Sequence, residues 1–217
     1  MGDPSVEAEF TRTLQRLKRR GCNLLLVGGV SDGVLTAASR KLLGDASERR
    51  YRLVVLAGMA RADGSRLPGD DAEGAARVVT HGTQPRGADD VTADLAKRHV
   101  DDDIGELGSA ISETITTFGD EGDGLNPGEL RVCLDSLDSL LSRYDGPVVR
   151  QFLGIVTGQI RGANGMGHVV LPYDYEHETV QEFAPLFDAV IEYRVDGGGQ
   201  ERWHFTRRDL QSPWLPV

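Results

Sequence analysis

Lysine is almost missing from this chain. Of the 24 basic residues among 217, only Lys18, Lys41 and Lys97 are lysines; the rest are arginine. Base is also outweighed by acid, which leaves a formal net charge of -10. Non-specific nucleic-acid binding depends on neutralising phosphates, so direct contact with DNA or RNA is not expected. An acidic, lysine-poor surface suits a high-salt cytoplasm, where hydrated carboxylates keep proteins soluble. An ordinary acidic cytosolic protein is the other reading. Cysteine is equally scarce. Cys22 and Cys133 each sit beside or inside an apolar run, which reads as two small buried residues and not as a disulfide or metal pair. No apolar run approaches the roughly 18 residues that a membrane span needs. The N-terminus is acidic and lacks the apolar segment of a signal peptide. These absences predict a cytoplasmic protein with no membrane association.

Hydrophobic residues make up 39% of the chain and charged residues 27%, the composition of a globular protein. The length suits a single α/β domain over 1–217 with no internal linker. Residues 5–20 place Phe10, Leu14 and Leu17 on one helical face, and Gly21 stops that helix. "CNLLLVG" is an apolar run of strand length without alternation, the pattern of a strand covered on both faces. "YRLVVLAG", "ARVVTHG", "LRVCLDSL" and "GHVVLP" read as the second to fifth strands. "VLTAASRKLLG" reads as a helix, and a helical signal runs from Val91 to Phe118 with a stripe at Ile104, Leu107, Ile111, Ile115 and Phe118. A long helix follows Pro147, and "TVQEFAPLF" is a short one. "DAVIEYRV" and "QERWHFTRR", joined by "DGGG", read as an antiparallel hairpin. Strands alternating with helices imply a mostly parallel sheet flanked by helices. The loops after Val27, Ala57, Thr80, Leu134 and Leu171 then gather on one edge, where ligands usually bind.

The first of those loops raises the question of function. A phosphate loop of the form G-x-x-x-x-G-K-[ST] wraps phosphates with backbone amides, reaches them with lysine and holds Mg²⁺ with a hydroxyl. Here Gly28, followed by Gly29, and Gly33 stand at the glycine positions, but Val34 replaces the lysine and Leu35 the hydroxyl residue. Thr36 comes one place too late, and a one-residue shift turns a helical side chain by about 100°. Asp32 adds negative charge where phosphates would lie. The loop is either a surviving anion nest at a helix N-terminus or a glycine turn that only joins strand to helix. Asp135, at the end of an apolar strand and followed by Ser136, stands where nucleoside-triphosphatases orient Mg²⁺. It could equally cap the next helix.

These segments, with "DGPVVRQFLGIVTGQIRGANGMGHVVLP" and "LFDAVIEYR", resemble the RecA-like ATPase superfamily over about residues 21–206. Within it the likeness is to the KaiC and gas-vesicle-regulator branch and to RecA-like proteins of salt-loving archaea. The resemblance implies a RecA-like P-loop NTPase fold with strand order 5-1-4-3-2 and a terminal antiparallel hairpin. It also implies an ancestral ATP site between Gly28–Leu35 and Asp135 with Ser136, where Asp135 would be a relict Mg²⁺ contact. Active members carry Lys and Ser/Thr where this chain has Val34 and Leu35. They also carry a catalytic glutamate after the second strand, where this chain reads Ala57-Gly58-Met59-Ala60. The resemblance therefore implies a degenerate site: no catalytic residue, no expected cofactor, and at most weak ATP/Mg binding.

Other candidates are weaker. His81, His99, His168, His177 and His204 are scattered without metal-ligand spacing. "VDDD" at 100–103 is an acidic run at a helix start, favoured there by the helix dipole or by a divalent cation. "PYDYEHE" could stack on a flat ligand or simply cover the sheet's edge. Gly158 and Gly162 allow close helix packing, within the fold or between chains. No G-x-S-x-G elbow occurs. The sequence is thus read as a pseudo-ATPase with a regulatory or scaffolding role, working through a protein partner or self-association. A weak nucleotide binder and an accessory protein of DNA recombination or repair are the alternatives.

If the acidic surface is adapted to salt, screening should relieve carboxylate repulsion. The melting temperature should then rise between low and molar KCl; a flat or falling profile would reject that reading.

Overall fold

A computed structural model describes residues 4–58, 74–82, 96–121, 124–208 and 210–217, with side chains from residue 9. At its centre is β1 (Cys22–Val27), in which every residue is buried. β1 pairs in parallel with β6 (Met166–Leu171) on one edge and with β7 (Ala189–Val195) on the other. Beyond β6 follow β5 (Leu130–Asp135), β2 (Arg50–Ala57), β3 (Gly74–His81) and β4 (Ala96–Val100), all parallel. Beyond β7 the chain turns back into antiparallel β8 (Gly199–Phe205), the expected hairpin. The short strands β9 (Leu210–Gln211) and β10 (Leu215–Pro216) also pair with β8. The full order is β10-β8-β7-β1-β6-β5-β2-β3-β4.

Strand alternation sorts the core into two layers. Leu25 and Val27 point to one face, where they cluster with Leu107, Ile111, Phe118, Leu153 and Ile160. That face is covered by α3 (Ile104–Glu121), α4 (Leu137–Leu141), α5 (Gly146–Gly162) and α6 (Glu178–Phe183). Leu24 and Leu26 point to the other face, against α1 (Pro4–Arg20) and α2 (Asp32–Leu43). The helical stripes predicted for α3 and α5 are the faces they bury.

Three expectations need correction. Numbered by the five parallel strands read from the sequence, the order is 1-5-4-2-3; 5-1-4-3-2 is found only with β7 as the fifth strand and β3 and β4 left aside, and β6 lies between β1 and the aspartate strand β5. Residues 96–100 are an edge strand, not the start of a helix; the predicted helical stretch 91–95 lies outside the described residues. Edge pairing with β3 overrides the local helical signal there, and exposed Lys97 and Arg98 suit an edge. α3 starts only after Asp103, whose Oδ1 accepts from the Gly105 and Glu106 amides at 2.7 and 3.1 Å. Lastly, a Cβ at Gly158 or Gly162 would meet nothing within 4 Å, so neither glycine serves packing within the fold.

The amino ends of the central elements are tied by one buried carboxylate. Asp188 Oδ2 accepts from the Asn23 amide at 3.0 Å and from Arg161 at 3.1 Å. Arg20 and Arg207 stand 3.6 and 3.9 Å from its Oδ1. Asn23 in turn donates from its side chain to the Thr157 carbonyl at 3.0 Å, so β1, β7, α1 and α5 are joined at one point. The three arginines are each more than a third exposed, which discounts their attraction. Asp188→Asn should therefore cost about 1–3 kcal/mol, less than a fully buried pair would, read as a lower urea midpoint at unchanged slope.

Candidate functional site

β1 is joined to α2 by only four residues, 28–31. Gly28 has φ +150°, and a Cβ there would stand 2.4 Å from the Tyr193 carbonyl oxygen of β7. A Cβ on Gly29 would stand 2.5 Å from Asp174 Oδ1. Gly28 is thus required by close approach of the β7 backbone, whereas a side chain at Gly29 would displace the Asp174 carboxylate. Their amides are also taken: Gly28 N donates to the Tyr173 carbonyl at 2.8 Å and Gly29 N to Asp174 Oδ1 at 3.0 Å. A carboxylate of the protein occupies the kind of contact that a nest offers an anion. Gly33 lies inside the first turn of α2, where a Cβ would meet nothing within 4 Å.

Val34 and Leu35 are apolar for a structural reason. Leu35 is fully buried beneath α2 with Leu17, Leu24 and Leu26, and Val34 packs partly buried against the same layer. A side chain at position 35 thus belongs to the core and does not face the turn.

Asp135 ends β5 and is fully buried, with Ser136 nearly so. The peptide between them is cis. Ser136, not Asp135, is the N-cap of α4, and its Oγ lies 3.2 Å from Ser139 Oγ. Ser139 packs against the end of β2, where a Cβ on Gly58 would stand 2.7 Å from its hydroxyl. Asp138 Oδ1 is buried without a hydrogen-bond partner among the described residues. Asp135 and Ser136 are thus grouped with Gly58, and the intervening β6 sets them about two strand spacings, roughly 9–10 Å, from the β1 edge. Among the described residues, no group of three or more His, Cys, Asp and Glu could hold a metal ion. Met59 and Ala60, part of the stretch where a catalytic glutamate would stand, lie outside the described residues.

The segment after β6 covers the sheet's edge, one of the two readings the sequence allowed; what patterning missed is that Asp174 binds the glycine turn. Tyr173 stacks on His177 with ring centroids 4.4 Å apart, and Tyr175 on His204 at 3.8 Å. These aromatic faces are spent on each other, so "PYDYEHE" is a cover for the sheet's edge. Asp174, its third residue, was the available signal, but its target lies 145 residues away in the chain.

A second cluster lies on the same edge. His81 is buried at the end of β3, its Nε2 is 2.9 Å from Tyr144 Oη, and the rings stack. Arg143 beside it pairs with Asp102. Burial, and then the Arg143 charge, push the His81 pKa below its ordinary value. The unfolded chain therefore binds a proton more readily than the native state, and stability falls as pH drops below about 6.5. Wild-type unfolding free energy should fall between pH 7 and 5.5, and His81→Gln should flatten that slope in urea titrations.

No curated protein matches this chain. Residues 21–193, which run from the start of β1 through most of β7, match a protein family described as a family of unknown function (DUF7504), and the chain belongs to that family.

Proposed function

We propose that this chain is a RecA-like domain whose nucleotide site is closed by its own 173–174 segment, and that it acts as a non-hydrolysing regulatory or scaffolding domain. The observation that carries the reading is the glycine turn, whose amides are bound by the Tyr173 carbonyl and the Asp174 carboxylate. Strand order lends support. Counting only β1, β2, β5, β6 and β7, the sheet reads 5-1-4-3-2, with β3 and β4 added beyond β2. The burial of Leu35 argues in the same direction, because a residue serving the core cannot also face a metal ion. The protein-partner side of the reading draws on α5, where Val148 and Ile155 are 42% and 52% exposed beside a groove of about 530 Å³ against α3.

Calorimetry with Mg-ATP in molar KCl tests this. Losing a charge-assisted contact costs about 1.5–3 kcal/mol, so a micromolar site would weaken by roughly tenfold to a hundredfold from the lysine alone. Wild-type protein should show no micromolar binding and no hydrolysis above background. Val34→Lys with Leu35→Thr should not suffice to restore binding, because Asp174 still holds the turn. Adding Asp174→Gly should restore weak binding without turnover. The Leu35→Thr change should itself cost about 2–4 kcal/mol of stability, through lost burial and a hydroxyl placed in the core. A micromolar wild-type dissociation constant would overturn the reading.

A further inference from the structure

At the opposite, amino edge of the sheet lies a cavity of about 580 Å³. It opens between α1, the end of α2 and the first residues of β1, β2, β5 and β6. Its apolar wall comes from Leu14, Leu17, Leu24, Met166 and Trp203. Its polar wall is dominated by cations: Lys18, Lys41, Arg50 and Arg131 line it, against Asp45 and Glu48.

The pairing within this wall is uneven. Glu48 is engaged by Arg50 at 2.6 Å, and Asp45 accepts from the Ser47 amide and hydroxyl at 2.9 and 2.6 Å. Lys41 stands 3.8 Å from Glu201. Among the described residues no carboxylate lies within ion-pair distance of Arg131, and Glu48 acts on it only from farther off. Arg131 Nη1 faces the Met166 sulfur, a weak acceptor that cannot neutralise a cation, and its Nε is buried without a hydrogen bond. Burial and the neighbouring Arg50 charge lower its pKa to about 10, still far above neutrality, so the guanidinium stays charged. The nearby Cys22 thiol cannot serve as counter-ion, because burial and Asp188 raise its pKa to about 12. A largely desolvated cation that no carboxylate pairs directly is costly in a folded protein. Here it faces a cavity of the size that holds small ligands.

We propose that this cavity binds a small amphipathic carboxylate, whose head group pairs with the Arg131 guanidinium and whose apolar body lies along the leucine, methionine and tryptophan wall. The planar guanidinium fork matches a carboxylate in two parallel hydrogen bonds. The wall excludes a bare inorganic anion as the best ligand, because such an ion leaves the apolar surface uncovered. The site lies on the edge of the sheet opposite the glycine turn and does not depend on how that turn is read.

Trp203 on the cavity wall supplies the reporter, in a Trp214→Phe background that leaves it as the single tryptophan. Decanoate, decanol and inorganic phosphate are titrated at constant ionic strength. Decanoate should give a saturable change in emission, with decanol and phosphate each at least tenfold weaker. Arg131→Gln should weaken decanoate at least tenfold and erase its preference over decanol. The same variant should melt at a higher temperature than the parent without ligand, because it removes a desolvated charge that no carboxylate pairs directly. Equal affinity for decanoate and decanol would overturn the proposal, as would phosphate binding as tightly as decanoate. Unchanged decanoate binding by Arg131→Gln, or no saturable binding below millimolar concentration, would also overturn it.

Discussion

β1 has neither a face nor an edge left to water, and the rest of the structure is arranged to satisfy that condition. Its six residues are buried, so helices must cover both faces. Its amides and carbonyls pair with β6 and β7, so both flanking strands must be in register before the core is dry. The Asp188 carboxylate makes the arrangement specific. It binds the Asn23 amide at the start of β1 and draws in arginines from α1, from α5 and from beyond β8. Gly167 carries the same constraint, because a Cβ there would stand 2.7 Å from Asn23 Oδ1 and 2.8 Å from Ile160.

A parallel sheet built on such a strand has two unequal ends. At the carboxyl end the strands run into turns and helix N-termini, the usual place for an anion. In this protein that end is filled from within: Asp174 and the Tyr173 carbonyl take the turn amides, and paired aromatic rings from the 173–177 segment and His204 lie beside them. At the amino end the balance is reversed. Arg52 is fully buried and gives its donors to the carbonyls of Leu43, Asp45, Glu48 and Arg50, holding the turn from α2 into β2. Arg131, one strand away, pairs directly with no carboxylate among the described residues. Positive charge at the amino end thus lies beside open volume.

This contrast explains why an apolar Leu35 and a buried Asp135 coexist in one chain. Leu35 belongs to the layer between α2 and the sheet, where a hydroxyl would leave a void and an unmet polar group. Asp135 belongs to the end of β5, beside Ser136, Ser139 and Gly58, with β6 between it and the glycine turn. The two positions are set by different neighbours, so the residue at one does not dictate the residue at the other.

Period and composition alone determined the elements: strands without alternation for 22–27, 51–57 and 167–171, helical stripes for α3 and α5, and a terminal hairpin across "DGGG". These are local properties, because burial on one face or both leaves its mark on neighbouring residues. Tertiary structure alone decided everything that required two distant segments to meet. Strand order is one case: nothing local states that β6 enters between β1 and β5. The strand at 96–100 is another, since its charged sequence becomes extended only because β3 offers an edge to pair with. The glycine turn is the clearest case. Gly28 and Gly29 read equally well as a phosphate nest or a plain connection, and the choice rests on Asp174, which arrives from 145 residues away. The same holds at the amino edge, where Arg131 is an ordinary strand residue in sequence and becomes a cation without a directly paired carboxylate only once the carboxylates around it have found other partners.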